Sequence, residues 1–254
     1  MGRSFGTIAV WSVAGALGLA ALGLRRLAAQ REREAETDPA RATARARRLY
    51  DRGAARYDTA IAVLDRLVFD EGRRWVCRQA RGRVLEIAAG TGRNLPHYPP
   101  GVHLMATDLS PRMIAMARRR AAVLGRAVAL QVGDAQSLPF RDRSVDTVVC
   151  TLGLCTIPDD RRAIHEASRV LRAGGRLLLL EHVRSDRPGV RLVQRLLHPV
   201  FCALAGDHLL RDPVPIVQGL GFRLERVERS GLGIVQRLAA RKPGALEGRV
   251  PGPP

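Results

Sequence analysis

Short apolar runs alternate with longer amphipathic stretches over most of the chain. Each apolar run lacks a helical period and predicts a buried strand. The stretches between them predict helices, and the one from Pro111 to Leu124 can be capped by Ser110. Alternating strands and helices indicate a parallel sheet with right-handed crossovers. The runs interpreted as strands begin at Arg83, Leu104, Ala129, Ser144, Arg176, Phe222 and Ile234.

The first strand leads into a turn of small residues. Residues 88–92 read Ala-Ala-Gly-Thr-Gly, and glycine permits both a sharp turn and the close approach of a ligand. The stretch matches neither the G-x-G-x-x-G fingerprint nor the phosphate-binding P-loop. Glu86, at the end of the strand, would repel a pyrophosphate and suits a cationic or amine-bearing ligand.

Two further acidic residues stand at the ends of the next strands. Asp108 ends the second strand and Asp134 ends the third. An acidic residue at the end of the second strand typically hydrogen-bonds the hydroxyl groups of a ribose. The pattern therefore favours a ligand that carries a nucleoside.

The three strand ends, in this order and spacing, resemble those of the class I S-adenosylmethionine-dependent methyltransferases. The resemblance covers roughly Tyr50 to Lys242. It implies an α/β fold with a Rossmann-like, doubly wound, seven-stranded and mostly parallel sheet, and S-adenosylmethionine as the cofactor. The alternative is a Rossmann-like fold that binds another nucleotide. The family often has glycine where Ala88 stands, and alanine is tolerable there if its φ is negative.

The resemblance also implies which residues contact the cofactor. Tyr57 would belong to a lid, although helix packing explains a single tyrosine equally well. The region from Tyr50 to Ala80 predicts two amphipathic helices, with Leu64, Leu67, Val68, Trp75 and Val76 facing the core. The implied cofactor-binding residues are Glu86, Ala88, Gly90 and Gly92 for the methionine part, Asp108 for the ribose, Leu109, Asp134 and Ala135 for the adenine, Thr151 for the floor of the pocket, and Tyr57 for the lid.

Candidates for proton transfer follow the fifth strand. Glu181 and His182 leave that strand at its carboxyl end, where α/β sites form, and His198 and His208 come later. A histidine near neutral pH is a plausible base for a thiol, a phenol or a carbon acid. We therefore predict His182, Glu181 and His198 as catalytic residues. The alternative is that His198 and His208 cap or orient helices.

Composition adds two constraints. The four cysteines, Cys77, Cys150, Cys155 and Cys202, have neither metal-binding nor disulfide spacing, so we expect reduced thiols and no metal. The net charge of +18 comes almost entirely from arginine, which indicates an anionic partner or merely a preference for arginine. An aromatic content of 4% argues against base-stacking platforms, so nucleic acid is an unlikely partner on sequence grounds.

The amino-terminal region predicts a membrane anchor. Residues Phe5 to Leu24 carry no charge and are numerous enough to cross a bilayer, and Arg25 and Arg26 follow at once. Positive charge on that side predicts a cytoplasmic catalytic domain on a single-pass or monotopic membrane protein. We divide the chain into an anchor with its basic flank (1–34), a methyltransferase domain (35–242) and a disordered tail (243–254).

The second half of the chain resembles particular groups within the methyltransferases. Residues 180–183, 197–199 and 206–211 resemble those of membrane-anchored methyltransferase-like enzymes, which methylate alkyl thiols. The core also resembles the phosphatidylethanolamine and quinone methyltransferases. We therefore expect methyl transfer to a small lipophilic acceptor: a phospholipid amine, a quinone or an alkyl thiol. The alternatives are a nucleic-acid or protein methyltransferase that uses the basic surface, and a non-catalytic membrane-bound adaptor.

Overall fold

A computed structural model of the protein describes residues 22–244. Its strands are β1 (Arg83–Ile87), β2 (His103–Asp108), β3 (Ala129–Val132), β4 (Val145–Thr151), β5 (Leu171–His182), β6 (Arg223–Ser230) and β7 (Val235–Arg241). Its α-helices are α1 (22–37), α2 (Pro39–Leu64), α3 (Asp70–Cys77), α4 (Pro111–Val123), α5 (Asp160–Val170), α6 (Pro188–Ala205) and α7 (Val214–Gly219).

The seven strands form one sheet in the order β3-β2-β1-β4-β5-β7-β6. Neighbours from β3 to β5 are parallel, and β7 lies antiparallel to both β5 and β6. Strands β1 and β4 at the centre are almost fully buried, as expected for a sheet that helices cover on both faces. The predicted doubly wound, mostly parallel α/β fold is confirmed. The strand order reverses beside β1, which is where such sheets bind ligands.

Helix starts follow the capping residues in the sequence. The side chain of Asp38 accepts a hydrogen bond from the backbone of Arg41 at the start of α2. Ser110 does the same for Met113 at the start of α4, and a proline follows each cap. A short polar side chain that satisfies a free N–H group stabilises a helix start by about 1 kcal/mol.

The region between Tyr50 and Ala80 differs from its prediction. Helix α2 continues without a break through a π-helical turn, Asp65–Phe69, into α3. The turn shifts the helical phase, so the buried face includes Asp65. This residue is only 4% exposed, and its ion pair with Arg73 offsets the cost of burying its charge. Val76 is buried as predicted. Leu64, Leu67 and Val68 are exposed instead of facing the core, which corrects that prediction.

The predicted anchor, residues 5–24, lies outside the described residues except for its last three. The predicted tail also lies outside them except for its first two residues. Within 22–244, no helix is both long and apolar enough to span a membrane. Helix α1 contacts α6, where an Arg31 Nη1 atom donates to the carbonyl oxygen of Cys202 at 2.7 Å.

Candidate active site

The carboxyl ends of β1, β2 and β4 open into a cleft. Helix α2 lies across it and contributes tyrosine side chains. The cleft therefore sits between the sheet edge, where the sequence predicted it, and a helical cover. The predicted cofactor-binding residues that line it are Tyr57, Ala88, Gly90, Asp108, Leu109, Asp134, Ala135 and Thr151.

Asp108 is held in position by backbone groups at the end of β2. Its Oδ2 atom accepts a hydrogen bond from the Gly90 nitrogen at 2.8 Å, and its Oδ1 atom accepts one from the Ser110 nitrogen at 2.8 Å. Burial raises the pKa of this carboxyl group, and the two backbone hydrogen bonds oppose the rise. Each carboxylate oxygen keeps a further lone pair that can accept a hydrogen bond from a hydroxyl group.

Asp134 links the end of β3 to the helical cover. Its carboxylate accepts hydrogen bonds from the backbone and side-chain nitrogens of Gln136, at 2.9 and 3.0 Å. The same Gln136 amide donates to Thr43 on α2 at 3.0 Å. The wall formed by Leu109 and Ala135 is therefore fixed relative to α2.

The turn after β1 uses a left-handed backbone at Ala88, Gly90 and Gly92, with φ values of 52°, 56° and 77°. The condition under which alanine is tolerable at position 88, a negative φ, is therefore not met, and the observed conformation costs an alanine about 1–2 kcal/mol. Gly92 is not among the cleft-lining residues. A Cβ atom there would lie 2.9 Å from Leu95 and 3.2 Å from the Ala117 side chain, so glycine allows the turn to pack against α4.

Glu86 lies beneath the cleft and is not among its lining residues. It is 1% exposed, and its two oxygens accept hydrogen bonds from the Asn94 amide and the Tyr98 hydroxyl group, each at 2.8 Å. Burial raises its pKa to about 7, although both hydrogen bonds favour the charged form. Its carboxyl group therefore lies behind the turn of residues 88–92, which we expect to contact the cofactor.

A buried arginine, which sequence analysis missed, completes the floor. Arg73 on α3 donates to Asp65 at 2.8 Å, to the Asn94 side-chain oxygen at 3.0 Å and to Thr151 at 2.7 Å. Arg93 also pairs with Asp65, at 2.7 Å. Because the chain is rich in arginine, nothing in the sequence distinguished Arg73. Sequence analysis did not predict the π-helical turn, which directs Asp65 inward and so gives Arg73 its buried partner.

Helix α2 is fastened to both sides of the cleft through Asp58. Thr91 in the glycine turn donates to its Oδ1 atom at 2.7 Å, and Arg120 on α4 donates to its Oδ2 atom at 2.5 Å. The adjacent Tyr57 lines the cleft, and burial raises the pKa of Tyr57 to about 12. Its phenol group therefore stays protonated at neutral pH. Tyr50, which sequence analysis did not single out, lines the same wall.

A second and more apolar cleft adjoins the first. The two clefts are adjacent, because five residues line both of them. The arrangement allows two ligands to meet. The shared residues are Tyr50, Tyr57, Met113, Leu152 and Thr156, and the others around the second cleft are Leu49, Gly53, Ile61, Leu64, Phe69, Cys155, His182, Leu204, Ala205 and Asp207.

His182 and Asp207 form a polar pair in the wall of the second cleft. The Nε2 atom of His182 lies 2.7 Å from the Oδ1 atom of Asp207. Burial lowers the pKa of His182, but the hydrogen bond and negative charge of Asp207 outweigh it, so the pKa is raised overall. Asp207 was not among the predicted site residues. Its only signal was its place in the conspicuous segment 206–211.

The other two catalytic candidates lie elsewhere. Glu181 is 1% exposed, and its Oε1 atom accepts hydrogen bonds from the backbone nitrogens of Gly153 and Leu154, each at 3.1 Å. It orders the turn after β4. His198 lines neither cleft and lies 3.0 Å from Glu32 on α1. The structure therefore does not bring His182 and His198 together.

The donor set of the first cleft fits S-adenosylmethionine. A fixed carboxylate at Asp108 suits the ribose hydroxyl groups, and Leu109 offers an apolar surface to a base. A Cβ atom on Gly90 would meet nothing within 4 Å, so the turn faces open space. This sheet order, with a nucleoside-type cleft at the ends of its parallel strands, defines the class of S-adenosylmethionine-binding methyltransferases.

Comparison with known proteins agrees with this class. A family model described as a methyltransferase domain matches residues 85–179. The chain is 36% identical over 154 residues to a demethylmenaquinone methyltransferase of Thermus thermophilus, covering 56% of this chain and 68% of that protein. The chain therefore belongs to the S-adenosylmethionine-dependent methyltransferases, and it is an enzyme of that family.

Other relatives differ in the acceptor that their names give. The chain is 35% identical to a phosphatidylethanolamine N-methyltransferase of Cereibacter sphaeroides, covering 46% of this chain and 58% of the relative. It is also 35% identical to a thiol S-methyltransferase of Rattus norvegicus, covering 51% of this chain and 55% of the relative.

A solved structure also shares the fold. It is an S-adenosylmethionine-dependent methyltransferase of Thermotoga maritima, described as a possible histamine N-methyltransferase. Its TM-score is 0.61 at 20% identity, and the match covers 77% of this chain and 99% of that one. At this identity the likeness shows the fold alone.

Proposed function

We propose that the protein methylates a small lipophilic acceptor bound in the second cleft. The observation that carries this proposal is that an apolar cleft, holding the His182–Asp207 pair, lies directly beside the cofactor cleft. The bound cofactor supplies an electrophilic methyl group on a sulfonium centre. The chain has to align the acceptor with that methyl group and exclude water, and the cover formed by Tyr50 and Tyr57 suits both tasks.

His182 is the residue that we propose takes a proton from the acceptor. The carboxylate of Asp207 accepts a hydrogen bond from one ring nitrogen, which orients the ring and stabilises the imidazolium form. The tyrosines cannot take this role at neutral pH, because burial raises the pKa of both Tyr50 and Tyr57. Glu181 acts as a positioning residue for the turn between the clefts.

The lining of the second cleft favours a thiol or a quinone over a phospholipid amine. Neither arginine nor lysine occurs among the described residues that line it. A phosphodiester group buried there would lack a cationic partner, which is costly in an apolar setting. The names of the relatives include all three acceptors, so the choice rests on the chemistry of the cleft.

We also propose that the protein acts at a membrane surface, with its catalytic domain in the cytoplasm. Helix α6 exposes a set of large apolar side chains, and Leu204 among them lines the second cleft. Apolar side chains beside a cleft mark a contact with lipid or protein, and arginines near the amino terminus suit anionic lipid. Residues 5–24 would supply the anchor. The exposed residues of α6 are Leu192, Val193, Leu196, Leu197, Phe201 and Leu204.

The test is a label-transfer assay with the full chain in detergent or vesicles. Methyl-labelled S-adenosylmethionine is offered with one acceptor class at a time: an alkyl thiol, a demethylated quinol, phosphatidylethanolamine or a nucleic acid. We expect label on the thiol or the quinol, with turnover in His182→Ala reduced about 100-fold or more and cofactor binding preserved. Exposed His165 on α5 provides a matched control, and His165→Ala should keep full turnover.

Each of the other outcomes would reject part of the proposal. Label only on nucleic acid would replace a lipophilic acceptor by a polyanion. Label on phosphatidylethanolamine would contradict the argument from the missing cation. Normal turnover in His182→Ala would remove the proposed base, and cofactor binding without transfer to any acceptor class would favour a non-catalytic adaptor.

A further inference from the structure

Four side chains with metal-ligating atoms meet where α1 contacts α6. Glu32 lies on α1, His198 and Cys202 lie on α6, and His208 follows that helix. One potential ligand atom from each residue lies within 4.8 Å of all the others. None of the four lines either cleft of the active site. The cluster is therefore separate from the site described above.

The geometry of the cluster approaches that of a tetrahedral metal site. His198 and Cys202 are four residues apart on one helix and so share a face. The Oε1 atom of Glu32 lies 3.0 Å from a ring nitrogen of His198 and 3.9 Å from one of His208. In zinc sites with bonds of about 2.0–2.3 Å, ligand atoms are roughly 3.3–3.7 Å apart. Closing the cluster onto a metal thus requires a contraction of only about 1 Å across its widest pair.

One member can make that adjustment easily. The Glu32 side chain is 50% exposed, so it can change rotamer without disturbing the core. The Cys202 side chain is buried and fixed by α6, and the two histidine rings lie with their centroids 5.8 Å apart. The rigid part of the cluster therefore already holds three ligands, and a flexible carboxylate completes the set.

The chemistry of the set selects zinc among common metals. A thiolate and two imidazoles suit zinc, whereas calcium and magnesium require oxygen ligands. Four protein ligands make a closed site, which is typical of a structural zinc. The thiolate and carboxylate together neutralise a divalent cation. Neutrality matters here, because the positive Arg31 side chain lies against the same turn of α6, 2.7 Å from the carbonyl oxygen of Cys202.

We propose that Glu32, His198, Cys202 and His208 bind a structural zinc ion that clamps α1 to α6. The site adjoins the active site, because His208 directly follows Asp207, the partner of His182. The ion would hold the segment that carries Asp207 in place and fix the helix that leads to the amino-terminal apolar segment. Sequence spacing did not reveal the site because its four ligands come from three separate segments.

The test measures metal on the full chain, purified in detergent without a histidine tag. We expect about one zinc ion per chain by elemental analysis. Cobalt in place of zinc should give a thiolate-to-cobalt charge-transfer band, which Cys202→Ser abolishes. His208→Ala and Glu32→Gln should weaken metal binding at least roughly tenfold. Glu32→Gln is the informative variant if the others unfold, because its side chain is half exposed.

Two controls make the result decisive. His165→Ala removes an exposed histidine on α5 and should leave the metal content unchanged. S-adenosylmethionine binding in each variant shows that the domain has folded. A metal content far below one per chain after growth with zinc, together with no charge-transfer band on adding cobalt, would overturn the proposal. The same metal content in Glu32→Gln and His208→Ala as in the wild type would also overturn it.

Discussion

The side chain of Ala88 fills the space that a side chain on Gly153 would need. A Cβ atom placed on Gly153 would lie 2.7 Å from that of Ala88 and 2.8 Å from the sulfur of Cys150. Since Ala88 also has a φ of 52°, the turns after β1 and β4 fit together through an alanine in an unfavourable conformation. Both turns line the cofactor cleft, so this contact forms part of its wall.

Ala88→Gly is expected to stabilise the fold by up to about 1 kcal/mol. The left-handed conformation costs alanine about 1–2 kcal/mol, and the greater freedom of glycine in the unfolded chain returns roughly half of that. Gly153→Ala is expected to destabilise by about 1–3 kcal/mol through overpacking. Urea unfolding of both variants and of the double variant tests the contact. Strictly additive free energies in the double variant would show that the two residues do not interact.

Asp108→Asn is expected to weaken binding of S-adenosylmethionine about 10- to 100-fold. The amide group can still accept at one atom, but its nitrogen would face the donor N–H of either Gly90 or Ser110. Hydrogen bonds to a charged group are worth about 1.5–3 kcal/mol each. Titration calorimetry measures the change, with the exposed Asp142→Asn as the charge-matched control. Equal affinities in the two variants would remove Asp108 from the cofactor site.

Asp58→Asn is expected to loosen the cover over the cleft. The variant loses the charge that holds Arg120 and Arg93, at 2.5 and 3.1 Å. Amide hydrogen exchange should become faster along α2, and the KM for the cofactor should rise several-fold with little change in kcat. Exchange that stays slow over residues 50–60 would show that packing, and not Asp58, keeps α2 closed.

Sequence analysis correctly placed the acidic residues that stand at the ends of predicted strands. Asp108 and Asp134 could be predicted because parallel strands end at one edge of the sheet. The positive φ of Ala88 could not, and neither could its contact with Gly153, which lies 65 residues further along the chain. Arg73 and Asp207 were missed for a similar reason. Asp207 lies 25 residues beyond its partner His182, and Arg73 reaches Asp65 on the same continuous helix through a π-helical turn that sequence analysis did not predict.

Asp207→Asn is expected to shift the pH dependence of turnover to lower pH. Asp207 raises the pKa of His182, so removing its charge lowers that pKa. A base must be unprotonated, so turnover rises as pH increases through the pKa of His182, and this rise should begin at lower pH in the variant. The maximal rate should also fall, because the imidazolium form loses its stabilising partner. An unchanged pH profile of kcat/KM would exclude His182 as the base.

Glu86→Gln is expected to change how stability depends on pH in the protein without cofactor. Burial raises the pKa of Glu86 to about 7 in the folded state, whereas the ordinary value is 4.5. Between these two values the folded chain binds more protons than the unfolded chain, so the free energy of unfolding falls as pH rises. This loss in the free energy of unfolding is about 3 kcal/mol at most. It is complete above pH 7 and absent below the ordinary pKa of 4.5.

Glutamine cannot ionise, so the variant should lose this part of the pH dependence and approach or exceed wild-type stability above pH 7. Urea unfolding of both proteins from pH 4 to pH 8 measures the difference, and subtracting the curves cancels the other titrating groups. A cationic cofactor close to Glu86 should reverse the trend in the wild type, because it favours the ionised carboxylate. Parallel curves for the two proteins would mean that Glu86 titrates normally and that Asn94 and Tyr98 fully offset its burial.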